Sequence, residues 1–331
     1  MPNNNNTSRL ACPLHKAKLA RSANYLTCPD GCAFPILLCG DQKIFDFSGS
    51  IDRSSTQENQ LFYSGQEQNQ RYRNFLGWLF STFKTDEESF RRLLLSKLVI
   101  PHEGKVLVTG CGNGDDLLAL AKNYPSKKLD IHGQDLSPEM VRETARTISQ
   151  IGIQNVTLSI SDATNLPYQD GYFDAVFHFG GINLMSEVRL AISEMARVCK
   201  NSGSVGFGDE SIAPWLRDSD YFRMLVENNN LWSAATPLHL LPTCANQVCA
   251  TWVLENCFYF IQFVKDLQFP TIDIDVVHVG ERGGSIRTRY YGKLEGVTEE
   301  ARAIAKVEAR RQGVSIHKWL DGVIKQFGHS D

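Results

Sequence analysis

The sequence predicts an α/β fold with a doubly wound, parallel sheet, and three observations lead to it. Short apolar segments typical of strands alternate with helical segments between residues 106 and 208. The first strand runs directly into a turn that holds three glycines within residues 110–114, and a helix follows. The second strand ends at Asp135, about twenty residues beyond that turn. Glycines let the backbone approach a ligand closely, and the helix start offers it free N–H groups.

Length and composition exclude several classes of protein. A chain of 331 residues, 42% of them hydrophobic, can bury one large domain with appendages. The net charge of −3 argues against a broad nucleic-acid surface. Residues 1–8 lack the pattern of a signal peptide, and no apolar run reaches the ~20 residues of a membrane span. Nine cysteines without a secretion signal indicate reduced thiols or metal ligands, so we expect a cytoplasmic protein.

The chain is expected to begin with a disordered stretch, residues 1–9, and a small zinc module, residues 10–47. Two short pairs, C-x2-H and C-x3-C, are separated by twelve residues and can surround one tetrahedral Zn²⁺. The predicted ligands are Cys12, His15, Cys28 and Cys32. Cys39 is an alternative ligand, and the competing interpretation is a β-rich hairpin with ordinary reduced cysteines. Two strands, Phe34–Leu38 and Ile44–Phe47, follow the cysteine pairs.

Residues 48–60 are rich in Ser, Gln and Asn and predict a linker. The domain that carries the glycine turn is then expected to span residues 61–265. It opens with an aromatic helix face from Leu61 to Phe83, which we interpret as core rather than as a ligand cage. A second helix is predicted at Asp86–Leu98. Pro101 ends it before the central strand begins.

The other elements of the sheet follow in regular alternation. Ser137 caps a helix that has Pro138 at its first position. The remaining predicted elements are the strands Val156–Ile160 and Phe173–His178, the helix Glu187–Cys199, the strand Gly203–Gly208, and an antiparallel edge pair at Thr251–Val253 and Phe258–Phe263. Alternation at this spacing indicates a sheet with helices on both faces, which binds its ligands at the carboxyl ends of the strands.

The order and spacing of these motifs resemble the class I S-adenosylmethionine-dependent methyltransferases over residues 61–265. The resemblance rests on V-L-V-T-G-C-G-N-G (106–114), D-L-S-P-E-M (135–140), S-D-A-T-N-L-P-Y-Q-D-G-Y-F-D-A-V (161–176) and E-M-A-R-V-C-K-N-S-G (194–203). It implies a seven-stranded Rossmann-like sheet with S-adenosylmethionine as the cofactor.

The resemblance also implies roles for individual residues. The glycines would flank the methionine part of the cofactor, Asp135 would hold its ribose, and Asp162 with the Ala163 backbone would contact the adenine. His178 and Phe179 would line the floor near the sulfonium. The implied cofactor-binding residues are Gly110, Cys111, Gly112, Gly114, Asp135, Leu136, Asp162, Ala163, His178 and Phe179. Asp135 and Asp162 are alternatively caps or turn residues, and His178 is alternatively a core histidine.

The chain departs from the family pattern at Val108, where an acidic residue usually helps to fix the amino end of the cofactor. Asp115 or Asp116 could partly replace that contact. Asp174 lies inside the fourth strand motif and is expected to brace the sheet.

Methyl transfer from a sulfonium asks little of side chains, because the donor is already activated and alignment supplies much of the rate. A general base is needed only if the acceptor must lose a proton. Candidates for that role are His178, Asn183, Tyr63 and His239. Residues 236–246 predict a loop over the pocket, and we expect substrate specificity in the insertion 209–250.

Residues 266–331 lie beyond the resembling domain and predict a strand, Ile286–Tyr291, followed by two helices. Thr298 starts the first helix, which ends near Gly313, and Ser315 caps the second. The arrangement looks somewhat like the ribbon-helix-helix family, whose members dimerise through the strand and can bind DNA. The alternatives are a helical hairpin docked on the catalytic domain or a homodimer contact.

These observations favour a methyltransferase that acts on a small molecule, similar to the quinone-type C-methyltransferases. A competing hypothesis is an rRNA or tRNA base methyltransferase, since guanine-modifying enzymes of that class also carry an N-terminal zinc module. Against it, the acidic chain lacks an obvious basic stripe and an N-P-P-Y-type tetrapeptide. A third hypothesis is a cofactor-binding regulator with a DNA-binding tail.

Overall fold

The computed structural model describes residues 9–51, 66–268, 272–279, 283–291 and 297–328. The chain divides into two compact units, Met1–Phe269 and Pro270–Asp331. Each unit is described by itself below.

The larger unit is built on one sheet of eleven strands, counted over the described residues. The strands are β1 (Ala20–Arg21), β2 (Tyr25–Thr27), β3 (Ala33–Cys39), β4 (Gln42–Asp46), β5 (Lys105–Thr109), β6 (Asp130–Asp135), β7 (Val156–Ile160), β8 (Phe173–Phe179), β9 (Cys199–Glu210), β10 (Ala245–Val253) and β11 (Phe258–Lys265). They lie in the order β1-β2-β3-β4-β7-β6-β5-β8-β9-β11-β10. Neighbouring strands from β4 to β9 run parallel, whereas β11 runs antiparallel to both β9 and β10. The strands β5–β11 form the predicted seven-stranded sheet, which is confirmed.

Helices cover both faces of this sheet. In the larger unit they are α1 (Gln66–Thr82), α2 (Glu87–Ser96), α3 (Asp115–Asn123), α4 (Pro138–Ile151), α5 (Val188–Val198) and α6 (Asp220–Asn228). The central strand shows the layering: Val108 belongs to one apolar cluster with Leu94 and Leu117, from α2 and α3. Leu107, the preceding residue, belongs to a second cluster with Ile192 of α5. Both faces of β5 are therefore buried. This is expected for a strand of a parallel sheet whose sequence does not alternate between apolar and polar residues.

Local signals in the sequence set the helix starts. Asp86 accepts a hydrogen bond from the Ser89 N–H at 2.8 Å and so caps α2. Ser137 accepts one from the Met140 N–H at 3.3 Å and caps α4. Asp174 braces the sheet, as predicted, because its carboxylate accepts the Lys105 N–H at 2.8 Å.

The N-terminal strands continue the main sheet. The two strands predicted after the cysteine pairs are β3 and β4, and β4 pairs in parallel with β7, with Ile44 opposite Leu158. Just beyond β4, the Phe47 N–H donates to the Ile160 carbonyl at 2.9 Å. The predicted boundary at residue 47 therefore does not separate two compact units.

Arg9 corrects the prediction of a disordered start over residues 1–9. Its guanidinium is buried, binds the Asp130 carboxylate at 3.0 Å and donates to Thr157 Oγ1 at 2.8 Å. A buried charge is tolerated where an opposite charge and hydrogen bonds compensate it, so this residue is held at the start of β6. Residues 1–8 lie outside the described residues, and so do residues 52–65, which include most of the predicted linker and Tyr63.

In the smaller unit, the predicted strand at Ile286–Tyr291 is wrong, because these residues form a helix, α7. Ser285 explains the difference: its hydroxyl accepts the Thr288 N–H at 3.3 Å, and Thr288 Oγ1 accepts the Ser285 N–H at 2.8 Å. This reciprocal cap starts a helix where a strand was predicted. Without the strand, the likeness to the ribbon-helix-helix family is lost.

The two predicted helices that follow are confirmed as α8 (Glu299–Arg311) and α9 (Ile316–Phe327). Thr298 caps α8 through the Ala301 N–H at 3.2 Å, and Ser315 caps α9 through the Lys318 N–H at 3.2 Å. A homodimer contact through this unit stays a prediction.

Across the described ranges, none of the helices combines the length and the apolar character that crossing a bilayer requires. The cytoplasmic location expected from the cysteines stays a prediction.

Candidate active site

The larger unit has a cavity of about 550 Å³ at the carboxyl ends of its parallel strands. Its wall contains Gly110 and Gly112 after β5, Asp135 and Leu136 after β6, and Asp162 and Ala163 after β7. His178 and Phe179 enter from the end of β8. Eight of the ten residues predicted to bind a cofactor are thus brought together at one place in the fold.

The glycine turn has a conformation that other residues rarely adopt. Gly110, Gly112 and Gly114 have φ values of 60°, 50° and 86°. A Cβ atom on Gly114 would lie 2.7 Å from Thr144 Cγ2, and one on Gly110 would lie 2.9 Å from His178 Cε1. The turn therefore needs glycine both for backbone conformation and for space.

Two predicted cofactor residues, Cys111 and Gly114, belong to this turn but do not line the cavity. Cys111 is buried in the apolar cluster of β5, and its N–H donates to the Gln134 carbonyl at 2.9 Å. Gly114 is the N-cap residue of α3. Both residues support the conformation of the turn without lining the cavity, since a tight turn cannot direct all of its residues to one side.

Asp135 joins the turn to the end of β6. One carboxylate oxygen accepts the Gly112 N–H at 2.8 Å, and the other accepts the Ser137 N–H at 2.9 Å. Burial raises the pKa of Asp135. A carboxylate has about four acceptor positions, so two remain for a ligand in the cavity.

Gln134 also lines the cavity and was not predicted from the sequence. Its Oε1 accepts the Gly110 N–H at 3.3 Å, and its Nε2 donates to the Ser161 carbonyl. One side chain therefore ties together the ends of β5, β6 and β7. Its position at the carboxyl end of a predicted strand was the signal that could have found it.

His178 is a neutral imidazole in this site. It is buried, and its Nδ1–H donates to the Thr109 carbonyl at 2.8 Å, which leaves Nε2 as the acceptor nitrogen. Burial lowers the pKa of His178. Among the described residues, no hydrogen-bond partner reaches Nε2.

Arg91 of α2 brings a cation into the cavity wall. It binds Asp116 at 2.6 Å, Glu87 at 2.6 Å and Asp115 at 3.6 Å. The two aspartates suggested as replacements for the acidic residue missing at Val108 are therefore engaged by Arg91, and neither contributes to the cavity wall.

The other end of the cavity is apolar and aromatic. Phe75 and Leu76 come from α1, and Phe258 comes from the start of β11. Phe90 packs edge-on against Phe179 with ring centroids 5.2 Å apart. The aromatic helix face was predicted as core, yet part of it walls this cavity.

Glu210 is the carboxyl group at the apolar end, and the sequence interpretation missed it. It is the last residue of β9 and is buried. Burial, together with the neighbouring Asp209 carboxylate, raises the pKa of Glu210 well above its ordinary value. Its place just beyond the carboxyl end of the predicted strand Gly203–Gly208 is the signal that could have found it.

Two other predicted proton acceptors, Asn183 and His239, lie outside the cavity wall. Asn183 supports the end of β9: its N–H donates to Asp209 at 2.7 Å and its Nδ2 to the Glu210 carbonyl at 2.6 Å. His239 lies in a short 3-10 helix that packs against α5, and its carbonyl accepts from Arg189 at 3.2 Å. The predicted loop over the pocket, residues 236–246, therefore lies elsewhere. Tyr63 is outside the described residues.

Comparison with known proteins agrees with this geometry. Residues 106–203 match the family described as Methyltransferase domain. The ubiquinone/menaquinone biosynthesis C-methyltransferase UbiE of Citrifermentans bemidjiense is 31% identical over 206 residues, which cover 59% of this chain and 86% of that protein. The demethylmenaquinone methyltransferase of Anoxybacillus flavithermus is 30% identical over 118 residues, which cover 35% of this chain and 49% of that protein.

A solved structure with the same fold is phosphoethanolamine N-methyltransferase 2 of Haemonchus contortus in complex with S-adenosyl-L-methionine. It superposes with a TM-score of 0.50 at 14% sequence identity, over 62% of this chain and 60% of that chain. At this identity the likeness extends to the fold.

Proposed function

This chain belongs to the S-adenosylmethionine-dependent methyltransferases, and we propose that its cavity holds the cofactor against a small, apolar methyl acceptor. The observation that carries the proposal is a single cavity with two unlike ends. One end presents a glycine turn and hydrogen-bonding groups, and the other presents aromatic side chains.

The polar end fits the cofactor. Asp135 has acceptor positions left beyond its two backbone contacts, which suits the two hydroxyl donors of a ribose. Asp162 uses one oxygen on the Thr164 N–H at 2.8 Å, and its second oxygen suits the amino group of adenine. Within the described ranges, His178 Nε2 is a buried atom of the cavity wall without a partner. Such atoms are usually satisfied by a ligand or water in the cavity.

S-Adenosylmethionine supplies an activated methyl group on a sulfonium, so the chain mainly has to align the reactants and exclude water. Two basic residues of the wall, His178 and Arg91, present little net positive charge to a cationic donor. His178 is neutral because it is buried, and Arg91 is compensated by Asp116 and Glu87. No uncompensated cation among these groups repels the sulfonium.

The acceptor we propose is a small aromatic compound of the quinol type. Phe75, Phe179 and Phe258 provide planar apolar surfaces for such a ring. The curated relatives named for quinone biosynthesis support this choice over a nucleic acid. A chain with net charge −3 also offers little attraction for RNA phosphates.

Calorimetry and a labelled-methyl assay test the proposal. We expect S-adenosylmethionine to bind with a micromolar Kd, and the label to appear in a cell extract of small molecules and lipids rather than in total RNA. Absence of binding heat with the wild type would contradict the cofactor assignment. Label confined to RNA would favour the base methyltransferase hypothesis.

We also propose that the N-terminal cysteine pairs bind one structural Zn²⁺. The thiols of Cys12, Cys28 and Cys32 lie 3.6, 3.5 and 3.5 Å from His15 Nδ1. All four ligand atoms lie within 4.8 Å of one another. Tetrahedral zinc with ordinary bond lengths separates sulfur and nitrogen ligands by about 3.6 Å. Cys39 is not part of this cluster, since its thiol faces the Arg142 carbonyl at 3.6 Å.

Metal analysis of protein purified without chelators tests the zinc site. We expect about one zinc per chain and a large loss of zinc in Cys28→Ser. Cys39→Ser, which removes a thiol outside the cluster, should retain the metal. A wild-type protein free of zinc would contradict the proposed zinc site.

A further inference from the structure

The zinc module lies against the loop that follows β7 in the catalytic sheet. This loop, residues 162–166, is called the β7 loop below, and its first three residues line the cavity. Just after it, Tyr168 pairs with Leu10 in an antiparallel bridge. The Ala11 N–H donates to the Pro167 carbonyl at 3.1 Å. The start of the zinc module is therefore joined by main-chain contacts to the segment that leaves the cavity wall.

The first pair of predicted zinc ligands encloses the turn that carries Lys16. Lys16 has a φ of 54°, in the left-handed region that non-glycine residues rarely adopt. The Lys16 N–H donates to the Cys12 carbonyl, and the Cys12 N–H donates to the Ala17 carbonyl, both at 2.8 Å. An unusual backbone conformation persists only where its surroundings enforce it. Zinc held by Cys12 and His15 would fix this turn, and with it the position of the Lys16 side chain.

The Lys16 side chain reaches across to the β7 loop. Its ammonium donates to Asn165 Oδ1 at 2.5 Å and lies 3.4 Å from Glu194 Oε2. The Asn165 N–H donates to the Asp162 carbonyl at 3.1 Å. The Thr164 N–H donates to Asp162 Oδ1 at 2.8 Å. Lys16 therefore contacts the residue whose main chain closes the turn that Asp162 begins.

Glu194 and Arg197 of α5 hold the other end of the β7 loop. Glu194 is buried, and its Oε2 accepts the Leu166 N–H at 2.8 Å. Arg197 donates to Glu194 Oε1 at 2.5 Å and to the Leu166 carbonyl at 3.0 Å. A buried carboxylate is stable where cations and N–H groups surround it, and Lys16 brings one of these cations from the zinc module. Both residues belong to the sequence motif 194–203, which thereby gains a structural role at the cavity.

We propose that Lys16 couples the zinc module to the cofactor site, because Zn²⁺ in the module positions Lys16 and Lys16 holds the β7 loop that receives the adenine end of the cofactor. This inference rests on the proposed cofactor and zinc sites, and it adds that each site strengthens the other. Lys16 does not line the cavity, so it acts as a positioning residue. Coupling of this kind is a free energy shared by two sites, and it is reciprocal.

Calorimetry with S-adenosylmethionine tests the coupling without relying on methyl transfer. We expect removal of zinc from the full chain by a chelator to raise the Kd of S-adenosylmethionine about tenfold. Lys16→Met leaves the four zinc ligands in place, so it should raise this Kd about fivefold while the zinc content stays at about one per chain. Lys16→Arg keeps a cation and should recover most of the affinity.

Lys18→Met is the matched control, because it removes another exposed lysine of the zinc module. Its Kd for S-adenosylmethionine should equal that of the wild type. A Kd that stays unchanged on zinc removal or in Lys16→Met, or that rises equally in Lys18→Met, would overturn the proposal.

The affinity for zinc provides the reciprocal measurement, made against a competing chelator. Saturating S-adenosylmethionine should lower the Kd of zinc by the factor through which zinc lowers the Kd of S-adenosylmethionine, about tenfold. In Lys16→Met this factor should fall to about twofold. A lysine that only stabilised the zinc module would weaken zinc binding equally with and without the cofactor, and that result would overturn the proposal.

Hydrogen exchange of the protein without cofactor separates this inference from the proposed function. On zinc removal and in Lys16→Met, the amides of the β7 loop should exchange at least about fivefold faster, whereas those of the glycine turn, residues 110–114, should not change. If the wild type binds no S-adenosylmethionine but shows this difference, the proposed function fails and the support of the β7 loop by Lys16 stands. Equal exchange of the β7 loop in wild type and Lys16→Met would overturn that support.

Discussion

The two ends of the cavity are built in different ways. The cofactor end is built around the main chain of the glycine turn, whose Gly110 and Gly112 N–H groups donate to the side chains of Gln134 and Asp135. The acceptor end is made by side chains from α1, β9 and β11, which are distant in sequence. Few other sequences can form such a turn, whereas packed side chains can be substituted individually. The acceptor end can therefore vary without disturbing the cofactor end.

The largest effect on this comparison is expected from Gly114→Ala. The new Cβ would meet Thr144 Cγ2 at 2.7 Å at a φ of 86°, so the turn must shift. We expect S-adenosylmethionine affinity to fall at least about 100-fold, or about 2.7 kcal/mol, by calorimetry. Gly49→Ala is the control, since a Cβ there has no neighbour within 4 Å. Unchanged affinity in Gly114→Ala would show that the cofactor end is less constrained than its geometry indicates.

A smaller loss is expected from Asp135→Ala. This change removes the acceptor of the Gly112 N–H and the proposed ribose contact together. We expect a loss of about tenfold in S-adenosylmethionine affinity, or ~1.4 kcal/mol. Asp218→Ala, at an exposed site, provides the matched control. An affinity equal to that of the wild type would mean that Asp135 only braces the turn.

Sequence alone identified most of the residues that line the proposed cofactor end, because they stand in short motifs. The glycines, Asp135 and Ser137 can each be recognised from the residues next to them, although Asp135 contacts the distant Gly112. The acceptor end could not be predicted, since Glu210 and Phe258 meet only through the pairing of β9 with β11. The same limit explains why His239 was placed at the pocket: the path of residues 236–246 depends on packing against α5.

Other differences came from competition between local signals. At Ile286–Tyr291, the sequence predicted a strand, but the reciprocal hydrogen bonds of Ser285 and Thr288 start a helix. At Arg9, the polar composition of the chain start concealed an ion pair with Asp130, a residue far along the chain.

Phe75→Ala should weaken binding of the acceptor without weakening binding of the cofactor. Loss of this ring removes planar apolar surface from the wall and leaves the glycine turn unchanged. We expect the KM of the acceptor to rise about fivefold, close to 1 kcal/mol, and the Kd of S-adenosylmethionine to change less than twofold. Phe83→Ala removes a ring that packs on Trp232 and Phe258 behind the wall, and it should lower stability without this selective rise. A parallel loss of cofactor affinity in Phe75→Ala would show that the two ends are coupled.

The smallest expected effect concerns thermal stability. It tests whether the buried Glu210 carboxyl destabilises the fold when it ionises. Burial raises the pKa of Glu210 above that of the unfolded chain, about 4.3. Between these two values the native state binds more protons than the unfolded state, so the stability contributed by this group falls as the pH rises through its native pKa. Gln cannot ionise and avoids that loss. We therefore expect Glu210→Gln to raise the Tm relative to wild type more at pH 8 than at pH 4, by about 2–4 °C. Glu227→Gln should give the same Tm difference at both pH values, because its side chain is exposed. If Glu210→Gln behaved like that control, the carboxyl would not be desolvated, and the acceptor end would not hold a buried carboxyl with a raised pKa.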